Sequence, residues 1–552
     1  MKNKLIKRVL AFALATSLTV LPLTGCGKEG DKNAEPSPTE ISNGETPKAS
    51  GDDDTLRFAL SVDFNKVDTL IAYSHELNIL VNSVSEGLFY YDENSVVQPL
   101  LAKSYTQPDD TTYVYEIRDD VTFSDGSKLT AEDVEFSLNR HRDPNNASLL
   151  GWMFDNVDSI EQTGDYEVTV KLKTPDPTWQ YTIATTAGDV ISKAYFEEHK
   201  DDYGTSSGGF VGSGPYVITS WDATEVDLEY NEDYWNKDNV EVGFKKLQFL
   251  SVPDESVAKT LIASGQVDIT GNVSLDSAKE LSSNSELKVV TTDFLADTFL
   301  SFNTSVKPLD DVRVRQAIDY AIDKETILTD IIGEDYASIG KSQLFSEKIG
   351  EADAALWKDF FENQPTYEYD LERAKELLKE AGYEDGLSLR LTYTSSNSTY
   401  ENVSLLIQQN LAEAGIDVTL EGVDAATVNT LRYGGSETRD YELLLTIWAS
   451  DYPDPVGTVV PMAYSTNNVA GGSNWAEYRS DDFDKYIDLS YSTSGEERIG
   501  YLQDALTVLG EDIPYAPLYN NYNVFITSKR VDYEFTTMLL YNIYTKDIKK
   551  AK

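Results

Sequence analysis

Between residues 370 and 448 the order of apolar residues leaves few architectures open. Asp370 stands as an N-cap before Leu371, Ala374, Leu377, Leu378 and Ala381, which share one helical face, and Gly382 ends the run. Leu387, Leu389, Leu391 and Tyr393 then alternate as a strand. A second helix is predicted from about Glu401 to Ala414, closed by Gly415, and Ile416, Val418 and Leu420 alternate again. A strand–helix–strand order joins parallel neighbours through a crossover, so a parallel sheet is expected. Leu443-Leu444-Leu445-Thr446-Ile447-Trp448 is apolar on both faces, as in a central strand covered from both sides. The class is α/β. Alternation in Tyr113–Ile117 and Val168–Leu172, and helical spacing of Val312, Ile318, Ala321 and Ile322, carry the same mixture along the chain.

The N-terminus is of another kind. Lys2, Lys4, Lys7 and Arg8 precede the uncharged stretch Val9–Leu21. A bilayer span needs about 20 apolar residues; this shorter stretch suits a signal-peptide core. It ends in Leu23-Thr24-Gly25-Cys26, which resembles the lipobox of bacterial lipoproteins. That resemblance implies removal of residues 1–25, diacylation of Cys26 and tethering at the extracellular face of the cell membrane. Two acyl chains anchor stably where one is marginal. Cys26 is also the one cysteine of the chain, so an intrachain disulfide and a cysteine nucleophile in the body are both excluded. Residues 26–54 follow as a polar stretch rich in Gly, Ser, Pro and acidic residues, read as a disordered tether. No second hydrophobic span appears, and a body of about 500 residues suggests two or three domains.

With 46 basic against 94 acidic residues the formal charge is −48, which argues against nucleic acid and against a broad grip on anionic lipid. A solvated acidic surface accounts for it. Three histidines, His75, His141 and His199, lack ligand spacing, so no metal and no cofactor are expected. A serine triad would need a histidine base, and no GxSxG elbow is present. Gly208-Gly209-Phe210-Val211-Gly212-Ser213-Gly214 leads into Pro215-Tyr216-Val217-Ile218, a strand pattern. A phosphate loop needs a helix there, so a turn entering a strand is the better reading. The tract Trp448-Ala449-Ser450-Asp451-Tyr452-Pro453-Asp454-Pro455 runs from the buried strand into an acidic, proline-stiffened turn. Open α/β sheets bind ligands at such strand ends, and a carboxylate desolvated there is a strong partner for an ammonium group. Equally, Asp451 or Asp454 could cap its own turn with Trp448 as core.

Several tracts in fixed order carry a family resemblance. Tyr115-Glu116-Ile117-Arg118, Phe123-Ser124-Asp125-Gly126 and Leu129-Thr130-Ala131-Glu132-Asp133-Val134 come first. Gly212–Tyr216, Asn231–Trp235, Val312–Ala317 with Ala321-Ile322-Asp323, and Tyr369–Gly382 follow. Together they resemble the solute-binding proteins of the peptide/nickel class of ABC importers, over essentially all of residues 55–552. The resemblance implies a class-C periplasmic-binding-protein-like flytrap, two main lobes with an additional inserted domain. Domain I would be 55–90, 205–292 and 513–552, domain II 91–204, and domain III 293–512, with a hinge near residues 292 and 513. It further implies capture of short peptides, oligopeptide or dipeptide, and delivery to a membrane permease with its ATPase subunits, by a monomer that is not an enzyme. In this family the acidic residue of W-x-x-D takes the peptide α-ammonium, a position that Asp451 matches. Ile447, Trp448 and Ala449 would pair with the ligand main chain by strand addition, with Tyr73 and His75 opposite. Trp152 and Trp475 are candidate pocket walls, and Arg432 and Arg439 candidates for the ligand carboxylate. An oligosaccharide, haem or nickel chelate is the alternative ligand, and a surface hydrolase or a peptide-sensing receptor the alternative role.

Overall fold

The helix expected after Asp370 runs Leu371–Glu380, with the Asp370 carboxylate accepting from the Arg373 amide and Gly382 leaving at φ 90°. In this computed structural model, which describes residues 54–271, 273–342, 354–533 and 543–552, that helix begins one lobe. Cys26, the signal segment and residues 26–53 of the tether lie outside the described residues. Strands Leu387–Thr394 and Ile416–Val423 flank the helix Ser398–Glu413 and pair in parallel, as the strand–helix–strand pattern requires. Leu443–Ala449 lies on the other edge of Leu387–Thr394, also parallel.

Beyond that point the sheet is mixed, where a parallel one was expected. Leu443–Ala449 runs antiparallel to the long strand Leu287–Phe302, which runs antiparallel to a second long strand, Tyr515–Ser528. These strands come from distant parts of the chain, so no local crossover dictates their direction. The sheet continues through Ile269–Thr270, Thr55–Leu60, Lys246–Ser251, Glu225–Tyr230 and Tyr216–Trp221. Ala337–Ile339 pairs beside the second long strand.

The ladder of the two long strands has two irregularities, a narrow one between Thr298 and Phe299 and a wide one between Asp293 and Asp297. Asp293 stands opposite Tyr522 and Asp297 opposite Asn520, so residues 294–296 face Asn521 alone. Such a bulge breaks regular pairing and bends the strand that carries it. A separate four-stranded antiparallel sheet, Ala102–Asp109, Thr112–Ile117, Glu167–Leu172 and Val157–Gly164, is covered by the helix Ala131–Arg142. One apolar cluster runs from Tyr115, Val168 and Trp179 beside this small sheet to Leu295, Phe299 and Leu509 beside the large one.

The sequence tracts that carry the family likeness have architectural work. Glu86 is buried and accepts from Tyr234 Oη at 2.5 Å and Trp235 Nε1 at 2.7 Å, and burial pushes its carboxyl above the usual range. Arg315 is buried and donates to the carbonyls of Leu309, Asp512 and Ile513, binding its helix to the start of the second long strand. Gly212 and Gly214 lie against the end of the helix His75–Val84, and the Gly214 amide donates to Val84 O at 3.1 Å. The glycine tract is therefore a close backbone approach feeding the strand at Tyr216. A β-carbon on Gly214 would stand 2.5 Å from the Val84 carbonyl carbon and 2.8 Å from Ser83 O, both backbone atoms. Gly214→Ala should therefore destabilise the fold by about 1–3 kcal/mol, read as a lower urea midpoint at unchanged slope.

Candidate functional site

Leu443–Ala449 is buried over Leu443–Thr446 and partly open over Ile447–Ala449. Along one edge it pairs with the first long strand from Ala449 opposite Ala296 to Leu443 opposite Phe302. Along the other, pairing with Leu387–Thr394 stops at Leu444. Residues 445–449 therefore have no strand on that edge among the described residues. A half-paired strand of this kind presents main-chain donors and acceptors to whatever lies beside it.

The turn after the strand separates its two aspartates. The Ser450 amide donates to Leu295 O at 2.7 Å, which fixes the start of the turn. Asp454 accepts from the Val456 amide and forms a buried ion pair with Arg498 at 2.9 Å. Asp454 thus caps the turn into the following helix. Asp451 is only 5 % exposed, and its Oδ1 accepts from Tyr73 Oη at 3.1 Å. Tyr73 stands just before the helix His75–Val84, whose apolar residues pack with Thr55–Leu60. Asp451 is therefore touched by a phenol that is 378 positions away along the chain.

The remaining sequence candidates separate. Tyr73 reaches Asp451 and is 38 % exposed; His75 opens its helix, but its side chain lies outside the described residues. Trp152, 44 % exposed, lines a surface hollow with Asn139, Arg142 and Pro144, which neither Asp451 nor residues 447–449 border. Trp475 is fully buried, its ring 5.7 Å from Trp448 and 6.2 Å from Phe299, so it backs Trp448 as core and is not an open wall. The two indole N–H groups of Trp448 and Trp475 are buried with no hydrogen-bond partner among the described residues.

The arginines divide as sharply. Arg439 is buried in an ion pair with Glu477 at 2.5 Å, and donates to Asn468 Oδ1 and to the carbonyls of Arg432 and Gly472. Its charge is committed inside the lobe, which corrects the expectation of a ligand contact. Arg432, at the end of the helix Ala425–Tyr433, has its guanidinium 3.9 Å over the Trp475 ring and donates to Tyr433 Oη. Burial pulls it below the usual arginine value, and no carboxylate lies within ion-pair distance among the described residues.

One residue escaped the sequence reading. Asp297 stands directly opposite Trp448 on one side and Asn520 on the other, and is 4 % exposed. It has no hydrogen bond or ion pair among the described residues, and burial alone pushes its carboxyl up to about 7. The signal was available: a single charge inside Phe294-Leu295-Ala296-Asp297-Thr298-Phe299-Leu300.

With this geometry in place, comparison with known proteins assigns the chain. Residues 96–470 match the bacterial extracellular solute-binding proteins, family 5 Middle. The glutathione-binding protein GsiB of Pectobacterium atrosepticum is 26 % identical over 480 residues, 86 % of this chain and 90 % of that one. Among solved structures, the ABC transporter substrate-binding protein CtaP of Listeria monocytogenes superposes with a TM-score of 0.78 at 23 % identity, covering 90 % of this chain and 99 % of CtaP. DppA of Helicobacter pylori in complex with the peptide STSA gives 0.71 at 24 %, covering 90 % and 98 %. These likenesses bear out the periplasmic-binding-protein fold with its two lobes. No described helix is long and apolar enough to cross a membrane. The chain belongs to family 5 of the bacterial extracellular solute-binding proteins: it is the substrate-binding component of an ABC importer, which binds a small ligand for its permease, and not an enzyme.

Proposed function

We propose that the protein captures short peptides between its lobes, holding the α-ammonium at Asp451 and the main chain along the open edge of Leu445–Ala449. The observation that carries this reading is the burial of Asp451 in contact with Tyr73, 378 positions away along the chain. A carboxylate in such a place gains from a cation that is desolvated with it. Residues 445–449 supply unpaired strand edge, so main-chain recognition tolerates different side chains. Arg432 is the residue we assign to the ligand carboxylate, since its guanidinium is buried beside Trp475 without an acidic partner among the described residues. Arg439, paired with Glu477, has no such freedom. Relatives named for glutathione, itself a tripeptide, and for a bound STSA peptide are in keeping with this class of ligand.

The working cycle follows from the long strands. Domain I (55–90, 205–292, 513–552) and domain III (293–512) are read as closing about the register break at 294–296, with domain II (91–204) as the insertion. Cys26 is read as the diacylated first residue of the mature chain, holding the body at the outer face of the membrane by a tether of 28 residues, Gly27–Asp54.

Two experiments test these assignments. Asp451→Ala should weaken tripeptide binding by about 10²–10⁴-fold, since losing one partner of a buried pair costs about 3–5 kcal/mol, with an unchanged thermal unfolding curve. Unchanged affinity in calorimetry ends the assignment. Arg432→Ala should remove discrimination between a free and an amidated peptide C-terminus, whereas wild-type protein prefers the free acid. Separately, Cys26→Ser should abolish incorporation of labelled fatty acid and release the protein into the culture medium; continued membrane retention refutes the anchor.

A further inference from the structure

Asp297 is the one feature of the junction that peptide termini leave unexplained. Several interior carboxylates have cations, Asp68 with Arg140 at 2.8 Å, Asp319 with Lys324 at 2.8 Å and Asp454 with Arg498, whereas Asp189 is buried without an ion pair among the described residues. Asp297 likewise has none among the described residues, although an ionised carboxylate is costly to take out of water when nothing compensates. Leu295 and Phe299, two residues to either side of it along the chain, belong to the apolar cluster. Directly opposite, Trp448 carries an indole N–H that is also buried without a partner. An acceptor and a donor thus stand on one face of adjacent strands, both unsatisfied, and native interiors leave few such groups.

Their position ties them to the ligand. Trp448 belongs to the half-paired segment, and Asp451 follows it by three residues. A lysyl or arginyl residue carries its second cation several bonds from its α-ammonium, so one ligand residue could present a positive charge to each of two carboxylates.

We propose that Asp297 is a second cation-binding point of the junction, placed to receive the basic side chain of a ligand whose α-ammonium sits at Asp451. This rests on the peptide reading above and narrows it to peptides with a lysine or arginine near the N-terminus. The cation neutralises Asp297 as the lobes enclose it, and the flanking Trp448 ring supplies an aromatic surface beside it.

The test uses purified mature protein, cleared of retained ligand, titrated with Ala-Ala-Ala, Lys-Ala-Ala, Ala-Lys-Ala and 1,5-diaminopentane. Wild-type protein should bind one of the lysyl peptides about 10- to 100-fold more tightly than Ala-Ala-Ala. Asp297→Asn should erase that advantage while keeping affinity for Ala-Ala-Ala. Ligand-free Asp297→Asn should also melt higher than wild type, because an uncompensated charge has been removed; a residue with a purely structural role would melt lower. Asp297→Ser serves as the second neutral variant if the first does not fold. Tripeptides that bind without a lysine advantage, or an advantage that survives in both variants, overturn the inference and leave the peptide reading standing. Diamine binding that is lost in Asp297→Asn, with no tripeptide binding, upholds the second cation point and overturns the peptide reading. If no probe binds, both fall.

Discussion

Backbone pairing between Leu287–Phe302 and Tyr515–Ser528 is the constraint on which the rest of the molecule depends. Through this pair one sheet extends from Ile416–Val423 at one end to Tyr216–Trp221 at the other. The pairing also fixes which side chains share a face. Asp297, Trp448 and Asn520 lie in one row because their strands hold that register, and a slip of one residue would turn each to the other side. The break at residues 294–296 interrupts the ladder just before Asp297. Bending is cheapest where ladder bonds are absent.

The distribution of charge separates scaffold from candidate site. A chain with a net charge of −48 sheds most of it into solvent, and the interior carboxylates that hold elements together are neutralised locally. Asp268 meets Arg530 at 2.8 Å at the joining of Ile269–Thr270 with the second long strand, and Glu477 meets Arg439 under the tryptophan pair. Asp297 departs from that pattern as a buried carboxyl without an ion pair among the described residues, and Arg432 as a partly buried guanidinium without one. Asp297 stands opposite Trp448 in register, and the Arg432 guanidinium lies over the Trp475 ring.

Much of the local structure was legible in the residues. The helix from Asp370 to Gly382, the parallel pair 387–394 and 416–423, and the strand ending at Trp448 each follow from patterns spanning fewer than about 20 residues. The glycine tract also read correctly as a turn, since Pro215 and Tyr216 announce a strand. The site was legible only in part. Asp451 could be singled out by its place after a buried strand, but Arg432 and Arg439 looked alike, seven residues apart in one stretch. Their difference is made by residues 468–477, which fold over Arg439 and supply Asn468 and Glu477. Trp152 and Trp475 were likewise indistinguishable until packing left one at the surface and sealed the other.

The sequence by itself determined the α/β character of the chain, the boundaries of its periodic segments, the lone cysteine after a signal-like stretch, and the aspartates that follow the buried strand. Tertiary structure decided that the sheet is mixed, that Asp454 is bound by Arg498 while Asp451 meets Tyr73, and that Asp297 is buried without a cation among the described residues. The reason is range. Periodicity and capping act between residues a few positions apart, so they are written in neighbouring letters. The contact of Tyr73 with Asp451 joins residues 378 positions apart, and the charge state of a buried group depends on every element packed around it, which only the assembled fold specifies.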